Sequence, residues 1–171
     1  MTTLAITVVG RDRPGIIARA AEALSECGMN LEDSSMTLLR GHFAMTLVCA
    51  GPADAAQVQQ ALSTHLDASL SVTVGEVPTE PEPAPEGPSY LVTVHGADRL
   101  GIVARLARVL AANGGNITDL TTRLAGDLYV LVAEVDLRVG TDVDAFQVEL
   151  HRVAAELGVD AHLAPVERDD L

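Results

Sequence analysis

Lysine is absent from this chain of 171 residues, and all eleven of its basic residues are arginines. Schiff-base chemistry, the phosphate-reaching lysine of a P-loop and a lysine general base have no residue to use, which removes several enzyme classes. Cysteine is almost as scarce. Cys27 and Cys49 have neither CxxC spacing nor a secretory context, so reduced, buried thiols are expected rather than a disulfide framework. No apolar run is long enough to cross a bilayer, and no basic segment followed by an apolar stretch opens the chain, so the expectation is no membrane partner and a cytoplasmic location. Positive charge is in deficit overall: the formal net charge is −13, which disfavours direct contact with nucleic-acid phosphates.

Catalytic and metal signatures are missing too. There is no G-x-S-x-G, no H-E-x-x-H and no phosphate loop of the required length, so a non-enzyme is expected. His42, His65, His95, His151 and His162 are scattered, and Asp160 with His162 is a two-residue coincidence. No metal or cofactor is therefore expected.

What is present is a repeat. Gly10-Arg11-Asp12-Arg13-Pro14-Gly15-Ile16 returns as Gly96-Ala97-Asp98-Arg99-Leu100-Gly101-Ile102, and the constant offset also pairs Leu24 with Leu110, Gly28 with Gly114, Asn30 with Asn116 and Asp33 with Asp119. A repeat of this length spans several secondary elements, so each copy is a small domain. Between them, residues 78–88 carry five prolines and three glutamates and read as an extended, semi-rigid linker spanning on the order of 30 Å. The expected division is a first domain over 1–77, that linker, a second domain over 89–167 and a tail over 168–171.

In copy one, the β-branched run 5–9 reads as a strand bounded by Gly10. Residues 15–27 carry apolar positions at helical spacing, with Gly28 as the stop. Residues 30–39 and 42–50 read as strands about an Arg40-Gly41 turn, Pro52 and Asp54 open a helix through Leu66, and 71–77 alternate as a last strand. Copy two repeats the order with strands 90–95, 116–124, 128–137 and 161–166 and helices 101–113 and 142–157. The pattern β-α-β-β-α-β predicts an α+β protein of two ferredoxin-like domains, each an antiparallel four-stranded sheet with two helices on one face. Val58, Ala61, Leu62 and Leu66 form a core stripe, whereas Val143, Phe146, Val148, Leu150 and Val153 fit either a wider buried face or a contact surface. An open sheet face and exposed edges in so small a unit give the domains a physical reason to pair, within or between chains.

The Asp-Arg-Pro-Gly-Ile after the first strand, and the Gly-Met-Asn-Leu that opens the second strand and returns as Gly-Gly-Asn-Ile, resemble the two signature segments of tandem ACT-domain proteins. Among members with nothing else attached, the chain is most similar to the glycine cleavage system transcriptional repressor group. The resemblance covers both copies and implies a small ligand, often an amino acid, held at interfaces between paired domains by the loop that follows the first strand.

The residues suit that chemistry. Gly15 and Gly101 let backbone N–H groups at a helix start approach a carboxylate. Asp12 and Asp98 can accept an ammonium group, Arg13 and Arg99 can grip a carboxylate in bidentate fashion or stand in solvent, and Asn30 and Asn116 can donate and accept across an interface. Pro14, Ile16, Leu31, Leu100, Ile102 and Ile117 complete the two segments as ligand-binding positions. A purely structural account stands beside this one: the aspartates as N-caps, Pro14 in a first helical turn, Asn30 satisfying a turn. Leu100 replaces the motif proline, and Gly10 and Gly96 stand where some relatives carry a polar contact residue. The expectation is a regulatory homodimer that senses a small amino acid, with glycine or serine implied by the resemblance, and signals to a protein partner such as a DNA-binding regulator. The alternatives are a ligand-free assembly module and the regulatory subunit of a separate enzyme.

Overall fold

The computed structural model of the chain describes residues 1–78 and 87–166. Most of the expected linker and the whole expected tail lie outside the described residues. The chain divides into two compact units, Met1–Pro81 and Glu82–Leu171.

The first unit runs β1 (Thr2–Arg11), α1 (Ile16–Glu26), β2 (Asn30–Leu39), β3 (His42–Gly51), α2 (Ala55–His65) and β4 (Ser71–Glu76). Its strands form one antiparallel sheet in the order β2-β3-β1-β4. The pleat sends Leu4, Ile6 and Val8 of β1 and Met45, Leu47 and Cys49 of β3 to one face, where they meet Ile16, Ala20, Ala23 and Leu24 of α1 and Val58 and Leu62 of α2 in a single buried cluster. Period two on the strands and period 3.6 on the helices thus converge on one core. Burying each large aliphatic side chain stabilises the unit by about 1.5–3 kcal/mol.

The second unit repeats this with β5 (Ser89–Ala97), α3 (Ile102–Ala112), β6 (Gly115–Ala125), β7 (Leu128–Leu137), α4 (Val143–Leu157) and β8 (Val159–Pro165), in the sheet order β6-β7-β5-β8. Phe146, Leu150 and Val153 are buried in its core while Val148 is 69% exposed. The uneven stripe on α4 is therefore an ordinary one-sided helix carrying one outward valine. Both edge strands β2 and β6 hold a bulge at the same repeat position: the register slips between Leu31 and Asp33, and again between Ile117 and Asp119.

Several boundaries differ from the sequence reading. Gly10 does not end the first strand. It pairs with Phe43 inside the ladder, and a Cβ there would lie 2.6 Å from Leu70 Cδ2 and 3.2 Å from the Ser69 carbonyl oxygen. Gly96 is squeezed in the same way, with Val159 Cγ1 at 2.8 Å. Close approach of the residues that enter the last strand, Ser69 and Leu70 before β4 and Val159 at the start of β8, accounts for both glycines and for a polar contact residue being excluded there. Pro52 lies outside α2, which starts at a capping box: the Asp54 carboxylate accepts from the Gln57 amide at 2.8 Å and the Gln57 side chain accepts from the Asp54 amide at 3.0 Å. The last strand of copy two starts at Val159 rather than Ala161 because Gly158, at φ 69°, turns α4 directly into β8.

Candidate functional site

The loop between the first strand and first helix is built alike in both units. Gly15 and Gly101 cap α1 and α3 with φ of 90° and 92°, and neither helix start has a side-chain cap. A Cβ at either glycine would meet nothing within 4 Å. The left-handed backbone, rather than crowding, therefore demands glycine. Pro14 precedes the cap and is outside the helix, and Asp12 and Asp98 are not N-caps. The Asp12 amide donates to the Gly41 carbonyl at 3.1 Å, tying the loop to the β2–β3 turn. The Asp12 and Asp98 carboxylates are exposed and make no hydrogen bond or ion pair among the described residues. With the capping role gone, both remain available to a cation.

The hydrophobic members of the loop split. Ile16 and Ile102 are buried in the cores, so their side chains are closed to a ligand and only their backbone N–H groups, among the unpaired donors of a first helical turn, stay open to one. Leu100 at the tip is fully exposed. The two arginines divide: Arg13 is half-buried and engaged, whereas Arg99 is exposed. Arg13 Nη1 lies 3.0 Å from Asp67 Oδ2 and its Nη2 donates to Ser69 Oγ at 3.3 Å. That contact holds the Asp67 carboxyl well below its ordinary range, chiefly through the Arg13 hydrogen bond and then through Ser69. Arg99 has no such partner and lays its guanidinium against Gly158, 3.2 Å from where a Cβ would stand.

Asn30 and Asn116 are exposed and stand as the first residue of β2 and the second of β6, where they pair with Ala50 and Asp136. Ala50 pairs in turn with Thr3, at the far end of β1 from Arg11. At about 3.3 Å per residue, Asn30 and the Asp12 loop are roughly 25 Å apart in one copy. Leu31 beside Asn30 is exposed, and Ile117 is half-buried against the second core. The structure thus groups residues 12–16 at one end of the sheet and 30–31 at the other, and does the same for 98–102 and 116–117.

A polar pair escaped the sequence reading. Ser89 Oγ donates to Asp136 at 2.5 Å, both residues are buried, and Asp136 also neighbours Asn116 in the ladder. An aspartate inside the apolar run Val135-Asp136-Leu137 was the visible signal. Its repeat counterparts are Thr3 and Ala50, so copy one has no equivalent carboxylate. His95 is exposed, 3.8 Å from Asp160 on the neighbouring strand. Among the described residues no group of three metal-ligating side chains occurs, and no helix is long and apolar enough to cross a membrane.

Comparison with known proteins agrees with this architecture. The ACT domain family matches twice, over residues 2–74 and 89–164. The glycine cleavage system transcriptional repressor of Escherichia coli is 31% identical over 121 residues, covering 70% of this chain and 64% of that protein, so the chain spans less than two thirds of that relative's length. A UPF0237 protein of Methanopyrus kandleri is 44% identical over 71 residues, 41% of this chain and 79% of its own. Among solved structures, a protein of unknown role from Galdieria sulphuraria superposes with a TM-score of 0.83 at 30% identity, covering 97% of this chain and 99% of its own. One provisionally assigned as a glycine cleavage system transcriptional repressor gives 0.73 at 19% identity over 98% of each chain, a likeness of fold. With the repeated loop, the two like sheets and these matches together, the chain belongs to the ACT-domain family, carries two copies of the domain, and is related to the glycine cleavage system transcriptional repressor.

Proposed function

We propose that this protein is a non-enzymatic regulator that binds a small amino acid, glycine or serine, where two ACT domains of a homodimer pair, and transmits occupancy to a protein partner. The observation that carries this reading is the layout of the edge strand. Every residue of β2 is exposed, its first residue is Asn30, and it ends beside the turn that anchors the Asp12 loop. Two such edges paired antiparallel would set the asparagine end of one against the loop end of the other, closing the roughly 25 Å gap that separates them within one copy. An ammonium group would then meet an aspartate, and a carboxylate would meet first-turn amides, an asparagine and an arginine.

Ligand bound across such a joint favours one arrangement of domains over others, which is how occupancy becomes a signal. The related repressor points to transcription as the output, and a net charge of −13 favours a DNA-binding partner over direct DNA contact. A thermal-shift screen of the whole chain against the twenty amino acids tests this. Binding to the folded state at one hundred times Kd stabilises by about 2.7 kcal/mol. A rise selective for glycine or serine and lost in Asp98→Ala and Asn116→Ala is expected; no rise with any amino acid sinks the ligand. In that event the exposed apolar residues of β2, Leu31, Met36, Leu38 and Leu39, at 44–49% exposure, favour the second reading, an assembly module without ligand.

A further inference from the structure

The two loops share a sequence pattern but not a state. In copy one, α2 stops at His65, and the connection to β4 brings back Asp67 and Ser69 onto the Arg13 guanidinium at 3.0 and 3.3 Å. The space left between Arg13, Pro14, Ile16, Leu66, Asp67 and Leu70 on that side of the loop is about 10 Å³. In copy two, α4 is 15 residues long against 11 for α2 and passes through Gly158 straight into β8, so no counterpart of the Asp67–Ser69 connection exists. Arg99 makes no ion pair or hydrogen bond among the described residues and borders an open depression of about 520 Å³ lined by residues 98–104 and Tyr129. Tyr129 occupies the register position of the buried Phe43 and brings a phenol to that wall.

We infer that Asp67 acts as a built-in substitute for a ligand carboxylate, occupying Arg13 in the first loop, so that the second copy takes a carboxylate ligand first. This rests on the proposed amino-acid site and assigns its two copies unequal roles. Arg13 must leave an exposed ion pair before it can take a ligand carboxylate, so the ligand's midpoint at the first loop is expected to be weaker by about fivefold.

The test is an amide-resolved NMR titration of the full chain with glycine and with L-serine, following Gly15 and Ile16 against Gly101 and Ile102. The expected result is that the second pair responds at a concentration about fivefold lower or more, and that Asp67→Ala brings the first pair level with it. Should Asp67→Ala not fold, Asp67→Asn keeps the side-chain oxygen that accepts from the Ser69 amide while removing the charge. Equal midpoints in the natural chain, or an unchanged gap in the folded variant, overturn the inference and leave the amino-acid site standing. If neither loop responds to any amino acid, the site itself falls, and phenylglyoxal mapping decides the rest: Arg99 modified ahead of Arg13, with Asp67→Ala speeding Arg13 alone, upholds the occupied arginine, and equal rates refute it.

Discussion

Replacing Gly101 with alanine isolates what the loop asks of the backbone. The residue caps α3 at φ 92°, and a Cβ would touch nothing within 4 Å, so crowding contributes no cost. An L-residue in left-handed backbone costs about 1–2 kcal/mol, and alanine restricts the unfolded chain by about 0.4–1 kcal/mol relative to glycine. The net destabilisation is about 1 kcal/mol, or roughly 4–8 °C in Tm for a unit of this size. Gly75 on β4 is the control, because it has neither a positive φ nor an atom within 4 Å of a Cβ. Gly75→Ala should be neutral or slightly stabilising. Urea unfolding followed by circular dichroism measures both. If Gly101→Ala unfolds at the same midpoint as the natural chain, or the two variants lose equal stability, then the positive φ is not what selects glycine in the loop.

Asp54→Ala breaks a capping box and should cost about 1 kcal/mol, whereas Asp12→Ala should leave the urea midpoint unmoved, because Asp12 caps nothing. Phe146→Ala empties a fully buried site and should cost about 3–5 kcal/mol, read as an early unfolding transition. The depressed Asp67 carboxyl contributes stability in full above its ordinary value of 3.8, and loses it as pH falls toward the folded value. The gap in urea midpoint between the natural chain and Asp67→Asn should therefore be present at pH 7 and narrower at pH 3; a gap that widens in acid contradicts the pair. Burial, then Glu32 and Cys27, push the Cys49 thiol up, so a thiol reagent should label the partly exposed Cys27 first and reach Cys49 only in denaturant.

The order of elements was legible because hydrophobic period is a local property, and two copies at one offset displayed it twice. Long-range approach was not. Gly10 looks like punctuation in the sequence, and only its pairing with Phe43 and the pressure of Leu70, just ahead of β4, show it to be part of a ladder where a side chain has no room. Asp12 two residues before a proline reads as a cap, until Gly15 is seen to take the position by its backbone alone. Arg13 and Asp67 are 54 positions apart, and the connection that joins them lies where the copies stop matching, so no repeat comparison could reveal the pair. The site residues were visible as types; that Asn30 and Asp12 sit at opposite ends of one sheet follows only from register.

The bulges in β2 and β6 also bear on solubility. A ten-residue edge exposed along its whole length is a template on which further strands can stack without limit. At Glu32 and Thr118 that template breaks: a strand following the row back from Leu39 loses step at Asp33, and one on the other edge loses it at Asp119. A flat repeating stack needs an unbroken row, and a kinked, acid-flanked edge denies it while still admitting a partner shaped to the kink. The exposed edge can thus stay open to water without inviting fibrous growth.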